Sequence, residues 1–199
     1  MPITAVERLL TGDARPRADA RRNVERLVAA ARTAVAEVGV EVTAHEIARR
    51  AGVGIGTFYR RLPSREALLE AVLLDTVDEI IALAHRALDD PDPWHGFREF
   101  TYAYVQLRTA SCGINEALGG DGGPGLEPAL AKLRDAIRRL VERARETGAL
   151  RADVAWQDVP FLLATVIPGA RTIGLRAGAD QWRRNLDVIL TGLRASRER

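Results

Sequence analysis

The side chains best placed to do chemistry lie between positions 55 and 60, and their chemistry is binding rather than catalysis. One short predicted helix there leaves five residues pointing outward: Ile55, Gly56, Thr57, Tyr59 and Arg60. They offer methyl groups, hydroxyl groups and a cation on one narrow surface. A helix presented in this way fits the major groove of DNA, which is about 12 Å wide. The spacing therefore predicts a helix that lies in the major groove of DNA.

Two short helices and a tight turn must hold this surface outward. The sequence predicts one helix over 43–51 and a second over about 55–61. Ala48 is the small residue needed where the two helices touch, and Gly52 supplies the positive φ that the turn requires. Three apolar residues face inward and fix the second helix: Ile47, Val53 and Phe58. The pattern is typical of a helix-turn-helix.

Neighbouring helices begin and end at recognisable residues. Thr43 and Glu46 have the spacing of a capping box at the start of the first short helix. An amphipathic helix is predicted over 19–38, and Gly39 ends it. Ser64 caps a long helix that extends to about Leu88. We therefore expect a three-helix head that continues into a long connecting helix.

The segment 43–68 resembles the DNA-binding head of the TetR/AcrR repressors, and the likeness extends over about 21–77. Residues matching the family signature in order and spacing are Ile47, Ala48, Ala51, Gly52, Val53, Gly56, Thr57, Phe58, Tyr59, Ser64, Arg65, Glu66 and Leu68. The resemblance implies a bacterial DNA-binding transcriptional regulator. Its expected action is that of a repressor, released from a palindromic operator by a small-molecule inducer.

The resemblance also implies roles for individual residues. Thr43 is expected to bind a phosphate with its hydroxyl and backbone N–H. Tyr59 resembles the family tyrosine whose hydroxyl reaches a phosphate, and Arg65 lies where the family's phosphate-binding lysine usually lies, with Arg60 near the same strand. Ile55, Gly56 and Thr57 are expected to face base edges.

Two residues depart from the family pattern. Gly54 replaces the usual serine or threonine that caps the second short helix, and Ile55 replaces a residue that is commonly polar or basic. Both changes reduce hydrogen-bonded readout of bases. We therefore expect affinity to come mainly from phosphate contacts, with sequence choice depending on apolar and shape readout.

Charge is divided unevenly along the chain. Residues 1–66 contain 12 arginines and 8 acidic residues, which gives +4, whereas the whole chain carries +2. A basic front suits a phosphate-binding head, although a solvated charged surface gives the same asymmetry. A basic N-terminal arm is expected to add non-specific attraction to DNA through Arg15, Arg17, Arg21 and Arg22.

Composition and periodicity predict an all-α protein of about nine helices. We expect a basic arm (1–18), the helix-turn-helix domain (19–66) and a helical ligand-binding and dimerisation bundle (67–199). No strand is predicted, a glycine-rich loop covers 119–125, and an apolar helix over 156–175 is interrupted at Pro168-Gly169. The single cysteine excludes an internal disulfide, and no apolar run reaches the roughly 20 residues of a membrane span. A cytoplasmic protein is expected.

The helical bundle contains candidates for two further sites. An effector pocket is predicted from an aromatic-rich set that includes one arginine: Trp94, Phe97, Tyr104, Arg108, Cys112, Trp156 and Phe161. The alternative is an aromatic core, and Cys112 itself is expected to be buried and inert. Homodimer contacts are predicted at Trp156, Val166, Trp182, Leu186, Ile189 and Leu193, with intrachain packing as the alternative.

Other classes of function have little support in the sequence. No nucleophile–base pair, phosphate loop or paired carboxylates stand out, so an enzyme is not expected. His45-Glu46 is not part of a zinc motif because Arg49 occupies the place of the second histidine, and neither metal nor cofactor is predicted. An activator, or a binder that responds to no ligand, remains an alternative to the repressor.

Overall fold

The computed structural model describes residues 3–10, 18–121, 123–167, 169 and 171–195. The helices of these described residues are α1 (Ala5–Leu10), α2 (Ala18–Val38), α3 (Ala44–Ala51), α4 (Ile55–Arg61), α5 (Arg65–Leu88), α6 (Pro93–Ala110), α7 (Cys112–Glu116), α8 (Glu127–Glu146), α9 (Asp158–Thr165) and α10 (Gln181–Leu193). Two short strands, β1 (Arg171–Thr172) and β2 (Leu175–Arg176), form an antiparallel hairpin. The all-α class is confirmed.

The described residues form two compact units, and the first contains the predicted head. It comprises the described parts of 1–79 and 110–130. The apolar face predicted for α2 is buried in it: Val24, Leu27, Val28, Ala31 and Val35. Ile47, Ala48 and Phe58 are also buried, as expected of residues that hold α3 and α4 together. The helix-turn-helix is thus anchored on α2.

Helix α7 belongs to this N-terminal unit and packs on the end of α2. Gly113 lies so close to Val35 that a Cβ atom there would be 2.3 Å from the Val35 Cγ1. The Glu116 carboxylate accepts a hydrogen bond of 2.9 Å from the Val40 N–H, just beyond α2. Residues far apart in sequence therefore fix the C-terminal end of α2.

The second unit comprises 80–109 and the described residues of 131–195. Its core takes large side chains from α6 and α8, among them Phe97, Phe100, Tyr104, Ile137 and Leu140. Leu186, Leu190 and Leu193 of α10 are buried as well, and Leu150 forms a bridge with Arg194 after α10. The buried faces of α6, α8 and α10 thus form the core of this unit.

The described residues contain ten α-helices, in keeping with the expected number of about nine. Two expectations about this architecture were wrong. The apolar helix predicted over 156–175 is only α9, which ends at Thr165. Strands replace its second half, since Gly174 has φ +83° and turns the chain back on itself. Two-residue strands are too short to show an alternating pattern in the sequence. Pro168 lies outside the described residues.

Candidate nucleic-acid interface

Thr43 begins α3 in the way that the capping pattern predicts. It has extended backbone angles, and its hydroxyl accepts a hydrogen bond of 3.2 Å from the Glu46 N–H. The Glu46 carboxylate is directed to arginines instead of back to the cap, accepting from Arg49 Nη2 and from Arg50 Nε at 2.7 Å each. Arg50 also pairs with Glu37 of α2 at 2.5 Å. This ion-pair network ties α3 to α2.

Because this network depends on a charged Glu46 carboxylate, the pH dependence of stability tests whether the network holds α3. Hydrogen bonds from Arg49 and Arg50 lower the pKa of Glu46 from 4.5 to about 2. A carboxyl whose pKa is depressed on folding adds stability that is complete above its unfolded pKa and is lost as the pH falls through its folded pKa. We therefore expect the Tm advantage of the wild type over Glu46→Gln to be full at pH 5 and to shrink towards pH 2. A Tm difference that is the same at both pH values would contradict this role.

The turn between α3 and α4 depends on Gly52. Its φ of 61° and ψ of 38° place it in the left-handed region, where a side chain is costly. Arg26 of α2 donates from Nη2 to the Gly52 carbonyl at 3.1 Å, and the Val53 N–H bonds to the Ala48 carbonyl at 2.9 Å. Sequence reasoning missed Arg26, because a contact across 26 residues leaves no local signal.

Helix α4 separates its anchor from its exposed surface. Phe58 is fully buried, whereas Tyr59 is 57% exposed and meets the Phe58 ring edge-on at 5.2 Å between centroids. Gly56 is exposed and Ile55 half-buried. The Arg60 guanidinium donates to the Thr57 hydroxyl at 3.0 Å, which fixes its direction along the helix. Of the outward set predicted for α4, Gly56, Tyr59 and Arg60 are thus exposed and Ile55 and Thr57 are half-buried, whereas Phe58 is fully buried.

The start of α4 has no side-chain cap. Gly54 occupies the cap position with an ordinary φ of −65° and ψ of 144°, and no side chain accepts a hydrogen bond there. A Cβ atom at Gly54 or at Gly56 would meet nothing within 4 Å. Neither glycine is required by the packing of the chain, in contrast to Gly52.

Arg65 has partners within the chain in addition to the phosphate expected for it. Its Nε donates to the Val42 carbonyl at 2.6 Å, its Nη2 donates to the Val40 carbonyl, and its Nη1 pairs with Glu66 at 2.8 Å. The side chain thus holds the segment between α2 and α3 against the start of α5. Two of its five N–H groups remain to reach a phosphate, so that role stays a prediction.

The basic arm is placed only in part. Arg15 and Arg17 lie outside the described residues. Arg21 and Arg22 belong to α2 and pair with Glu25 at 2.9 Å and with Asp19, respectively. Both side chains are exposed and remain able to exchange these carboxylates for a phosphate.

The predicted effector residues fall into separate places. Four lie on α6, where Trp94 packs on Phe97 and buried Arg108, only 8% exposed, donates to the Tyr104 hydroxyl at 3.3 Å. Trp156 is half-buried before α9, whereas Phe161 is 76% exposed. Phe161 therefore lines an open groove and not an enclosed pocket.

Cys112 corrects an expectation, because it is exposed and not buried. Ser111 caps α7 by accepting from the Ile114 N–H at 3.3 Å, and Gly113 and Ile114 occupy the inward positions. Cys112 therefore faces outward. It also belongs to the N-terminal unit, whereas the α6 residues with which it was grouped belong to the second unit.

The residues predicted for dimerisation also divide. Val166, Leu186 and Leu193 are buried within the chain, which removes their side chains from any contact between subunits. Trp182 is half-buried against Tyr102, with ring centroids 6.4 Å apart, and Ile189 is half-buried beside the groove. Two exposed apolar residues lie near them: Val188, which the sequence reasoning missed, and Phe161, which it assigned to the effector pocket. Trp156, Trp182 and Ile189 stay predicted contacts.

Two properties of the described residues bear on other functions. None of the helices described is both long and apolar enough to cross a membrane. Among the same residues, no group of three or more His, Cys, Asp and Glu side chains is placed to hold a metal ion.

Two family models match the chain. The model for bacterial regulatory proteins of the tetR family matches residues 27–72, which contain α3 and α4. The model for the C-terminal domain of SbtR-like transcriptional regulators matches residues 92–195. Together they match residues in both compact units. Curated proteins give no match.

Solved structures agree with the family models. A TetR transcriptional regulator from Streptomyces coelicolor is 30% identical, with a TM-score of 0.63, over 87% of this chain and 99% of that one. A TetR regulatory protein from Mycobacterium vanbaalenii is 32% identical, with a TM-score of 0.61, over 89% and 98%. RolR, solved with its ligand resorcinol, shares the fold at 23% identity and a TM-score of 0.52, over 89% and 90%.

Proposed function

The chain belongs to the TetR family of transcriptional regulators, and we propose that it is a homodimeric repressor of a palindromic operator that a small molecule releases. The observation that carries this proposal is the division of α4. Phe58 anchors the helix in the core, while Thr57, Tyr59 and Arg60 stand on its free side. The protein holds such a helix through one side, and the other side is free to contact base pairs in the major groove of DNA.

Phosphate contacts supply most of the affinity in this proposal. Thr43, Tyr59 and Arg60 are exposed, and they offer two hydroxyl groups and a guanidinium. Ile55 and Thr57 add methyl groups that suit the methyl of thymine. As a chromosome-binding regulator the protein acts in the bacterial cytoplasm, and it carries out no catalysis.

A second subunit is part of the proposal because one short helix reads few base pairs. Two copies related by a two-fold axis place two such helices one DNA turn apart, about 34–36 Å. The surface available for this association lies on α9 and α10, where Phe161 and Val188 are 76% and 74% exposed. Exposed apolar side chains on adjacent helices are a common feature of subunit interfaces.

Effector binding is assigned to the C-terminal unit. RolR, with the same fold, binds resorcinol, an aromatic molecule with hydroxyl groups. In this chain, Tyr104 and Arg108 provide polar groups among the aromatic side chains of α6. Helix α5 runs from Arg65 of the first unit to Leu88 of the second, so a displacement of α5 by a ligand reaches the head. A ligand that prefers the displaced state lowers DNA affinity in proportion to that preference.

An electrophoretic shift assay with the DNA upstream of the chain's own gene tests the proposal. We expect a shift at low salt that weakens as salt rises, because phosphate contacts release counterions. No shift at low salt would contradict DNA binding. Ligands that raise the Tm of the protein should also reverse the shift. A reporter whose expression falls when the gene is deleted would favour an activator instead.

Variants at Tyr59 and Ile55 distinguish phosphate contacts from base contacts. Tyr59→Phe removes one hydrogen bond to a charged group, so we expect about tenfold weaker binding to operator and random DNA alike. Ile55→Ala should weaken binding to the operator and leave random DNA unaffected. Fluorescence anisotropy with both duplexes measures the four changes. If both variants lowered the two affinities equally, this division of roles would be wrong.

A further inference from the structure

The β1–β2 hairpin exposes an unusual combination of side chains. Arg171 and Arg176 stand directly opposite each other across the two strands, and Thr172 opposes Leu175. At its tip Ile173 is 93% exposed and has a φ of +41°. Every residue from Arg171 to Arg176 is exposed.

Taken alone, the hairpin is poorly stabilised. Like charges directly opposite each other on adjacent strands are destabilising. Neither Arg171 nor Arg176 forms an ion pair with a described residue. A two-stranded hairpin is marginal in water, and a positive φ is an outlier for a β-branched residue such as Ile173. The hairpin therefore lacks a counter-charge and an apolar contact, both of which a binding partner would supply.

A groove with the complementary character lies on the same unit of the chain. It has a volume of about 520 Å³ and an apolar wall formed by Val154, Phe161, Leu162 and Ile189. Asp153 and Asp158 stand at the groove. Asp153 is paired with Arg151 at 2.5 Å, but Asp158 forms no ion pair among the described residues and only accepts from the Ala155 N–H at 2.8 Å. The groove is thus apolar, and its charged lining residues, Arg151, Asp153 and Asp158, give it a net charge of −1.

The direction of α10 places hairpin and groove at opposite ends of one helix. The hairpin precedes Gln181, the first residue of α10, while Ile189, Gly192 and Leu193 at its other end line the groove. Thirteen residues of helix span about 20 Å, and none of the hairpin residues 171–176 lines the groove of the same chain. In a two-fold dimer with antiparallel α10 helices, the start of one α10 lies beside the end of the other. Each hairpin then reaches the groove of its partner.

We propose that the β1–β2 hairpin is an arm that docks in this groove on a second copy of the chain. Ile173 packs against the apolar wall of the groove beside Phe161, and the two arginines approach Asp158. The contact occurs twice, because a two-fold interface pairs the same surfaces on both subunits. This docking rests on the proposed dimer, and it names residues that hold the two subunits together.

Cross-linking in the Cys112→Ser background tests the arm directly. A chain with Ile173→Cys is mixed with a differently tagged chain carrying Leu162→Cys, and the mixture is mildly oxidised. We expect a disulfide-linked heterodimer on a non-reducing gel. Ile173→Cys mixed with Ala131→Cys, whose new thiol is exposed elsewhere on the same unit, should give none. Equal cross-linking in both mixtures, or none in either, would overturn the proposed docking of the hairpin in the partner's groove.

Sedimentation of charge variants distinguishes the arm from the dimer itself. Arg171→Glu/Arg176→Glu should raise the dissociation constant of the dimer by roughly tenfold or more, because two contacts are lost per dimer. Arg138→Glu/Arg139→Glu, which changes net charge equally on α8, should leave it unchanged. A wild-type dimer that the hairpin variant does not weaken would reject the arm alone, whereas a monomeric wild type would reject the proposed dimer too. A hairpin variant that lowers DNA affinity without affecting the dimer would assign the arginines to phosphate instead.

Discussion

Phe58→Ala is expected to abolish operator binding by releasing α4 from the core. Phe58 is fully buried and is the only buried residue within α4. Replacing a buried phenylalanine with alanine costs about 3–5 kcal/mol, partly as lost transfer free energy and partly as a cavity. That loss is comparable with the whole stability of a small unit, so the helix-turn-helix should open at room temperature. Chemical denaturation, followed by anisotropy with operator DNA, measures both effects.

Phe58→Leu is the matched control. It keeps most of the volume, and hydrophobic exchanges of similar volume usually cost less than about 1.5 kcal/mol. We expect this variant to bind operator DNA with an affinity close to that of the wild type. Full DNA binding by a folded Phe58→Ala variant would show that α4 is not held by this side chain and would undermine the placement of the DNA-binding surface.

Gly52→Val is expected to have the second-largest effect. A β-branched residue at φ 61° carries a penalty of roughly 1–3 kcal/mol. The new Cβ atom would also lie 2.7 Å from the Arg26 guanidinium, which must then leave the Gly52 carbonyl. Since the turn sets the angle between α3 and α4, DNA affinity should fall further than the loss of stability alone explains. Thermal unfolding and anisotropy on the same samples give the two numbers.

Gly54→Ser, two residues further on, provides the contrast. Gly54 has ordinary backbone angles and open space around its Cβ position. Serine there caps α4 and should raise stability by a few tenths of a kcal/mol. A Gly52→Val variant as stable as Gly54→Ser would show that the turn does not depend on a left-handed residue.

The head was predictable because its determinants are local. Thr43 and Ser64 cap helices through residues three positions away, and Gly52 is required by one turn. Burial of Ile47 and Phe58 follows from helical periodicity. These features lie within single elements or between adjacent ones, so spacing in the sequence is enough to find them.

Long-range partners account for most of what the sequence did not show. Arg65 could be recognised as basic and well placed, but its bonds to the Val40 and Val42 carbonyls depend on tertiary packing. The same holds for Arg26 at the turn. On α10 the apolar stripe was clear, yet its inward side contains Leu186 and Leu193 while Val188 is exposed. Periodicity identifies an apolar face without saying whether it packs within the chain or against another chain.

Hydroxyl-radical footprinting of the chain's own upstream DNA shows whether a dimer reads a palindrome through two copies of α4. We expect two protected patches related by two-fold symmetry, with centres about 10–10.5 base pairs apart or a multiple of that spacing. Both patches should disappear with Phe58→Ala and persist with Phe58→Leu. A single unsymmetrical patch, or protection that survives Phe58→Ala, would contradict this mode of binding.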